Sequence, residues 1–156
     1  MKITLLTVGK TEVDWVRKGL DLYSARLPHY AKFSLEEIPD VKNAATLPKV
    51  DLKKKEGEKI LEKVKSSDFM VVLDEHGREF RSVEFAKWME DKMNVGRDMV
   101  FVVGGAFGFS DEVYSRADFK MSLSQMTFSH QMVRVLFAEQ IYRAFTIIKG
   151  EPYHNE

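Results

Sequence analysis

Apolar positions along the chain fall into two periods. Short continuous runs occur at Ile3 to Val8, Phe69 to Leu73 and Met99 to Val103. They have strand length, and the last two carry no polar residue, as strands covered on both faces do. Phe33 to Ile38 and Phe119 to Leu123 predict two more polar strands. Between the strands, apolar residues recur at helical spacing. Val16, Leu20, Tyr23 and Leu27 follow Thr11, which is placed to cap a helix, with Asp14 favourable to its dipole. Ile60, Leu61 and Val64 form a thin stripe on a charged helix over 52–65, whose KKKEGEK section reads as a solvated face. Ser82 caps a helix carrying Phe85, Trp88, Met89 and Met93, and a short helix is expected over 111–116. A long helix over 129–149 uses Val133, Leu136, Phe137, Ile141, Phe145 and Ile148. Pro28, Pro39 and the Gly150 and Pro152 pair act as stops. Residues 40–50 read as a polar loop and DEHGREF, 74–80, as a turn.

Strands alternating with helices predict an α/β domain with a mostly parallel sheet and helices on both faces. Ligands in such folds bind at the carboxyl ends of the strands. Three loops leave those ends with informative residues: 74–79, 104–110 and 123–128.

Composition narrows the classes. The 156 residues suggest one domain, with no repeat or linker. The absence of cysteine excludes disulfides, thiolate metal sites and a cysteine nucleophile. No apolar run approaches the ~20 residues of a membrane span, and MKITLLTVGK is too short in its apolar part for a signal peptide. A cytoplasmic location is expected. The 24 basic and 24 acidic residues balance, which excludes a strongly basic nucleic-acid domain. The distribution is uneven: residues 1–65 hold 14 Lys/Arg against 10 Asp/Glu, and residues 66–156 hold the reverse. Any nucleic-acid partner must be met by a local patch.

Three segments carry candidate chemistry. FVVGGAFGFSDEV, 101–113, runs from a buried strand through a GGxxG loop into a helix start. It is neither GxGxxG nor a P-loop with its Lys-Ser/Thr, and it follows the fourth strand, where a dinucleotide fingerprint would follow the first. SLSQMTFSH, 122–130, alternates small hydroxyl residues with Leu, Met and Phe. Such a segment can hold an aromatic ring and offer backbone groups to its edge, or simply cap a helix through Thr127 or Ser129. The tail EPYHNE is rich in hydrogen-bonding rings. Six extended residues reach roughly 20 Å, more than the ~15 Å radius of a domain this size, so the tail can fold over its own site or a neighbour's. The histidines at 29, 76, 130 and 154 lack metal-ligand spacing, and no GxSxG elbow is present, so neither a metal site nor triad hydrolysis is expected.

Taken together, VVGGAFGFSDEV, SLSQMTFSHQMVRVLFAEQIYRAF and GEPYHNE resemble the SPOUT-class α/β-knot methyltransferases. More narrowly they resemble the ribosomal RNA large-subunit methyltransferase H family, the pseudouridine N3-methyltransferases. KITLLTVGK, KKKEGEKIL and LDEHGREF also fit, so the resemblance covers the whole chain. It implies a carboxy-terminal deep trefoil knot, against the general expectation of an un-knotted chain. It implies S-adenosyl-L-methionine as methyl donor, held by Leu73, Gly104 and the segment Leu123, Ser124, Gln125, Met126, Thr127 and Phe128. It further implies a homodimer whose tail completes a partner's active site, giving Tyr153 and His154 a role, with Arg143 associated with substrate and His130 at a family position. The glycines would let another piece of chain pass and the donor sit against backbone.

The expected chemistry is positional. The donor's methyl carbon needs no metal, only an acceptor nitrogen in line at about 3–3.5 Å. A pseudouridine N3 must lose its proton, to His154 or a positioned water, with Tyr153 stacking on or hydrogen-bonding the base and Arg143 anchoring RNA. Two rivals are a Rossmann-like dinucleotide-binding oxidoreductase and a non-catalytic ribosome- or RNA-binding module.

Overall fold

The computed structural model describes residues 1–155 of the chain; Glu156, the last residue of the tail motif, lies outside them. Five strands, β1 (Lys2–Val8), β2 (Lys32–Ile38), β3 (Phe69–Glu79), β4 (Met99–Val103) and β5 (Phe119–Ser122), form one sheet in the order β2-β1-β4-β3-β5. Every pairing is parallel. The helices are α1 (Asp14–Arg26), α2 (Lys49–Lys63), α3 (Ser82–Val95), α4 (Asp111–Arg116) and α5 (Met132–Ile148).

Successive strand residues point to opposite faces, and both faces are buried. Ile3, Leu5, Val71, Phe101 and Val103 pack with Val16, Leu20, Phe85, Met89, Phe137, Ile141 and Phe145 of α1, α3 and α5. The Phe101 and Phe137 rings lie 4.6 Å apart. On the other face Leu6, Val8, Met70, Val72, Val100 and Val102 meet Ile60 of α2, Phe109 and Val113 of α4. The α/β class with helices on both faces is as expected. β3, β4 and β5 are neighbours, so the three loops singled out above leave one edge of the sheet side by side.

Four local expectations are corrected. DEHGREF is not simply a turn: β3 continues to Glu79 after an irregularity, because Leu73 and Arg78 both pair with Met121. Thr11 does not cap α1. The backbone N–H groups of Glu12 and Val13 donate instead to the Gln131 side chain, at 2.8 and 3.4 Å. KKKEGEK is not all solvated: Glu56 is buried beside Gly105 of the loop after β4, and Gly57 against Ser110 and Val113 at the start of α4. Ser82 is the first residue of α3, and Glu84 accepts the Arg81 N–H at 2.9 Å. Helix ends also move by a few residues, with α2 starting earlier, at Lys49, and α5 later, at Met132.

The segment between β5 and α5 crosses from the β5 edge to the far end of β1, where Arg134 anchors it. This arginine is fully buried. Its guanidinium donates to the carbonyls of Val8 at 2.9 Å, Gly9 at 3.0 Å and His130 at 2.9 Å, and to the Thr11 hydroxyl at 2.9 Å. Glu37 lies 3.6 Å away as counter-charge. Burial of an arginine is tolerable only when its donors are satisfied in this way.

Candidate active site

The irregular stretch of β3 and the loops after β4 and β5 converge on one cleft of about 660 Å³, within the range of small-molecule sites. Leu73, Gly104, Leu123, Ser124, Met126, Thr127 and Phe128 all line it. Gln125 does not; its side-chain amide turns away and donates to Glu79 at 2.9 Å. Leu123, Phe128 and Val133 give the cleft an apolar wall, and the exposed Phe107 and Met126 stand at its rim.

The glycine loop is shaped first by its own chain. A Cβ on Gly104 would lie 2.9 Å from the Phe109 ring, and one on Gly105 would lie 2.6 Å from a Glu56 oxygen. Gly108, at φ 86°, takes the left-handed conformation that closes the turn. Ser110 then caps α4 by accepting the Val113 N–H at 3.3 Å. Gly104, Gly105 and Gly108 line the cleft together with Phe109. Glu56 beside Gly105 has its pKa raised, by burial first and then by Asp40.

Asp74, Glu75, His76, Tyr114 and His130 also line the cleft. Asp74, Glu75 and His76 belong to the 74–79 segment singled out above, without individual roles, because the turn reading gave their side chains no direction; His130 was noted as a family position, and Tyr114, on α4, carried no sequence signal. Asp74 accepts a bond from the Tyr114 hydroxyl and another, at 2.8 Å, from the His76 N–H. Burial and the Asp74 bond push the Tyr114 phenol up, so it stays protonated and donates. Glu75 accepts from the Thr127 hydroxyl. Among the described lining residues there is no lysine or arginine.

Arg143, Tyr153 and His154 lie together elsewhere, outside the lining of this cleft. Arg143 donates to Glu139 at 2.5 Å and to His154 Nδ1 at 3.0 Å; the Tyr153 hydroxyl donates to Glu139 at 3.1 Å. A guanidinium has donors only, so His154 Nδ1 accepts and the imidazole hydrogen sits on Nε2. Burial first, then Tyr23 and Glu139, push the Tyr153 phenol up. The tail is thus docked on α5, about 15 Å of helical rise beyond Val133.

A family model described as predicted SPOUT methyltransferase matches residues 1–154. The chain belongs to the SPOUT methyltransferase family. Relatives of the same length carry the name ribosomal RNA large subunit methyltransferase H. That of Christiangramia forsetii is 53% identical over 156 residues, 99% of each chain. That of Parabacteroides distasonis is 50% identical over 157 residues and that of Flavobacterium johnsoniae 49% over 157, each covering 100% of both chains. SPOUT methyltransferases use S-adenosylmethionine as methyl donor, and the family implies the knot. No helix among the described residues of this SPOUT methyltransferase is long and apolar enough to cross a membrane.

The cleft fits that donor on its own chemistry. Its apolar wall suits an adenine ring and its backbone-rich rim suits hydrogen bonding to the ring edge. Carboxylates without a facing cation suit a sulfonium and oppose a dinucleotide's pyrophosphate. The oxidoreductase rival therefore loses its ligand as well as its fingerprint.

Proposed function

We propose that this SPOUT methyltransferase methylates N3 of a pseudouridine in large-subunit ribosomal RNA, using S-adenosyl-L-methionine, as a one-domain protein that acts as a cytoplasmic homodimer. The observation that carries the reading is the cleft of about 660 Å³ built by three adjacent turns and lined by carboxylates without a cation, in a chain half identical to the named relatives.

Leu73, Gly104, Leu123, Ser124, Met126, Thr127 and Phe128 hold the donor. When bound, the donor supplies an electrophilic methyl carbon, and no metal is required. The chain's work is to place the acceptor nitrogen in line with it and exclude competing water. Tyr153, His154 and Arg143 serve a partner's cleft, in keeping with their place on α5 away from their own. Because Nδ1 of His154 is occupied by Arg143, its Nε2–H is a donor. His154 therefore positions the base by donating to a ring carbonyl, which also favours loss of the N3 proton to water. Arg143 holds the imidazole in that tautomer and places positive charge near the developing anion.

The test is incubation of purified large subunits and whole ribosomes with labelled donor and the protein, followed by nucleoside analysis. Label in a methylated pseudouridine is the expected result. No incorporation, or label in another nucleoside, refutes the proposal. Particles that bind the protein without donor and acquire no label would instead support the non-catalytic module.

A further inference from the structure

We propose that Asp74, assisted by Glu75, makes the cleft prefer the positively charged methyl donor over its neutral thioether product. The inference rests on the donor reading above and names what sets the selectivity of that site.

The carboxylates reach the cleft because of a built irregularity in β3. Leu73 and Arg78 both pair with Met121, so residues 74–77 stand out from the ladder. The excursion returns against β5 at Gly77, where a Cβ would lie 2.7 Å from backbone atoms of Lys120 and Met121. Only a residue without a side chain closes the strand pair there. What the excursion displays is Asp74 and Glu75.

Asp74 is fixed from two sides. One oxygen accepts the His76 N–H within its own strand, and the other accepts the Tyr114 hydroxyl from α4. Two donors into one carboxylate fix where its charge sits. Glu75 is tied to the opposite wall through Thr127 but is more exposed, with 42% of its side chain open, so its field is more screened. No lysine or arginine among the described lining residues offsets them.

Donor and product share the adenosine and the amino-acid end. They differ by one methyl group and one unit of charge, because the sulfonium becomes a thioether when its C–S bond electrons return to sulfur. A lining of fixed negative charge acts on that difference and on nothing else in the pair. Transfer thus removes the attraction that held the ligand, and the product leaves more readily than the donor.

The experiment measures dissociation constants of S-adenosylmethionine and S-adenosylhomocysteine by calorimetry, for the parent protein, Asp74→Asn and Glu75→Gln. A third probe is the analogue that carries an ammonium in place of the sulfonium. For Asp74→Asn, donor and ammonium analogue are expected to weaken about five- to tenfold while the homocysteine product stays within about twofold. Glu75→Gln is expected to shift the same ratio by about two- to threefold. Equal weakening of all three ligands, or an unchanged ratio, overturns the inference. Should Asp74→Asn bind nothing, the ratio in Glu75→Gln decides, and an unchanged ratio there overturns it. A parent protein that binds neither donor nor product overturns the donor reading instead.

Discussion

Gly77→Ala tests the architecture of the site directly. The added methyl carbon would stand 2.7 Å from the carbonyl carbons of Lys120 and Met121 and from the Met121 nitrogen, where ordinary contact begins near 3.4 Å. The overlap of about 0.7 Å is with backbone on a paired strand, not with the free end of a side chain. Overpacking costs about 1–3 kcal/mol, and this case belongs in the upper half because no rotamer can relieve it. For a chain of this size that corresponds to a fall in melting temperature of about 5–10 °C. The same displacement moves Asp74 and Glu75 on one strand and the start of the Leu123 segment on the other. Donor affinity is expected to fall about tenfold or more. Gly96→Ala is the control: it sits at the end of α3 with φ 82° and open space around it. It is expected to cost about 1 kcal/mol through backbone strain alone and to leave donor affinity unchanged. Thermal unfolding at fixed protein concentration and donor titration are measured for both variants. If Gly77→Ala melts no lower than Gly96→Ala and binds donor like the parent, the close approach of β3 to β5 does not shape the cleft.

Three further outcomes are expected. Arg134→Met leaves three carbonyls and the Thr11 hydroxyl without their buried donor, while Glu37 keeps Arg17 at 3.1 Å, so urea unfolding is expected to show a loss of about 3–5 kcal/mol; Arg134→Lys restores little, since an ammonium has no comparable fork. Glu56 has its carboxyl pKa raised above the ordinary 4.5, by burial first and by Asp40 second. Its contribution to stability is therefore complete below the unfolded pKa and lost as pH rises through the folded one. Glu56→Gln is expected to raise the urea midpoint at pH 7 and to flatten the decline in stability above about pH 4.5; a lower midpoint at pH 7 refutes this. His154→Ala is expected to lower turnover on ribosomal substrate by about 10²–10³-fold with donor affinity intact, and unchanged turnover removes His154 from the mechanism.

What the sequence made legible follows from range. Phe69 to Leu73 and Met99 to Val103 declared themselves as doubly covered strands because burial on two faces leaves no polar alternation to misread. The convergence of Leu73, Gly104 and the 123–128 segment followed from the rule that α/β sites gather at carboxyl ends, once the strands are neighbours. The failures are non-local. Thr11 has the right chemistry for a cap, yet its hydroxyl meets Arg134, while Gln131, distant in sequence, accepts the N–H groups of Glu12 and Val13 ahead of the helix. Glu56 sits in a run of charges that hydropathy scores as solvent-facing, and only the position of Gly105 shows that it is covered. Arg134 interrupts a helical stripe where no period distinguishes a buried arginine from an exposed one. DEHGREF contains a glycine and four charges, which argues for a turn; that Gly77 instead lets two strands touch depends on the β5 backbone beside it.

The packing of α1 against α5 has a consequence for biosynthesis. A polypeptide emerges from its amino end, and β1 and α1 are made long before the residues that finish them. β1 must also wait for its partner β4. Until α5 has left the exit tunnel, α1 lacks the helix it packs against, and until β4 arrives β1 is paired only with β2. Truncation that removes α5 is therefore expected to uncover α1 and leave the amino-terminal third open to proteases.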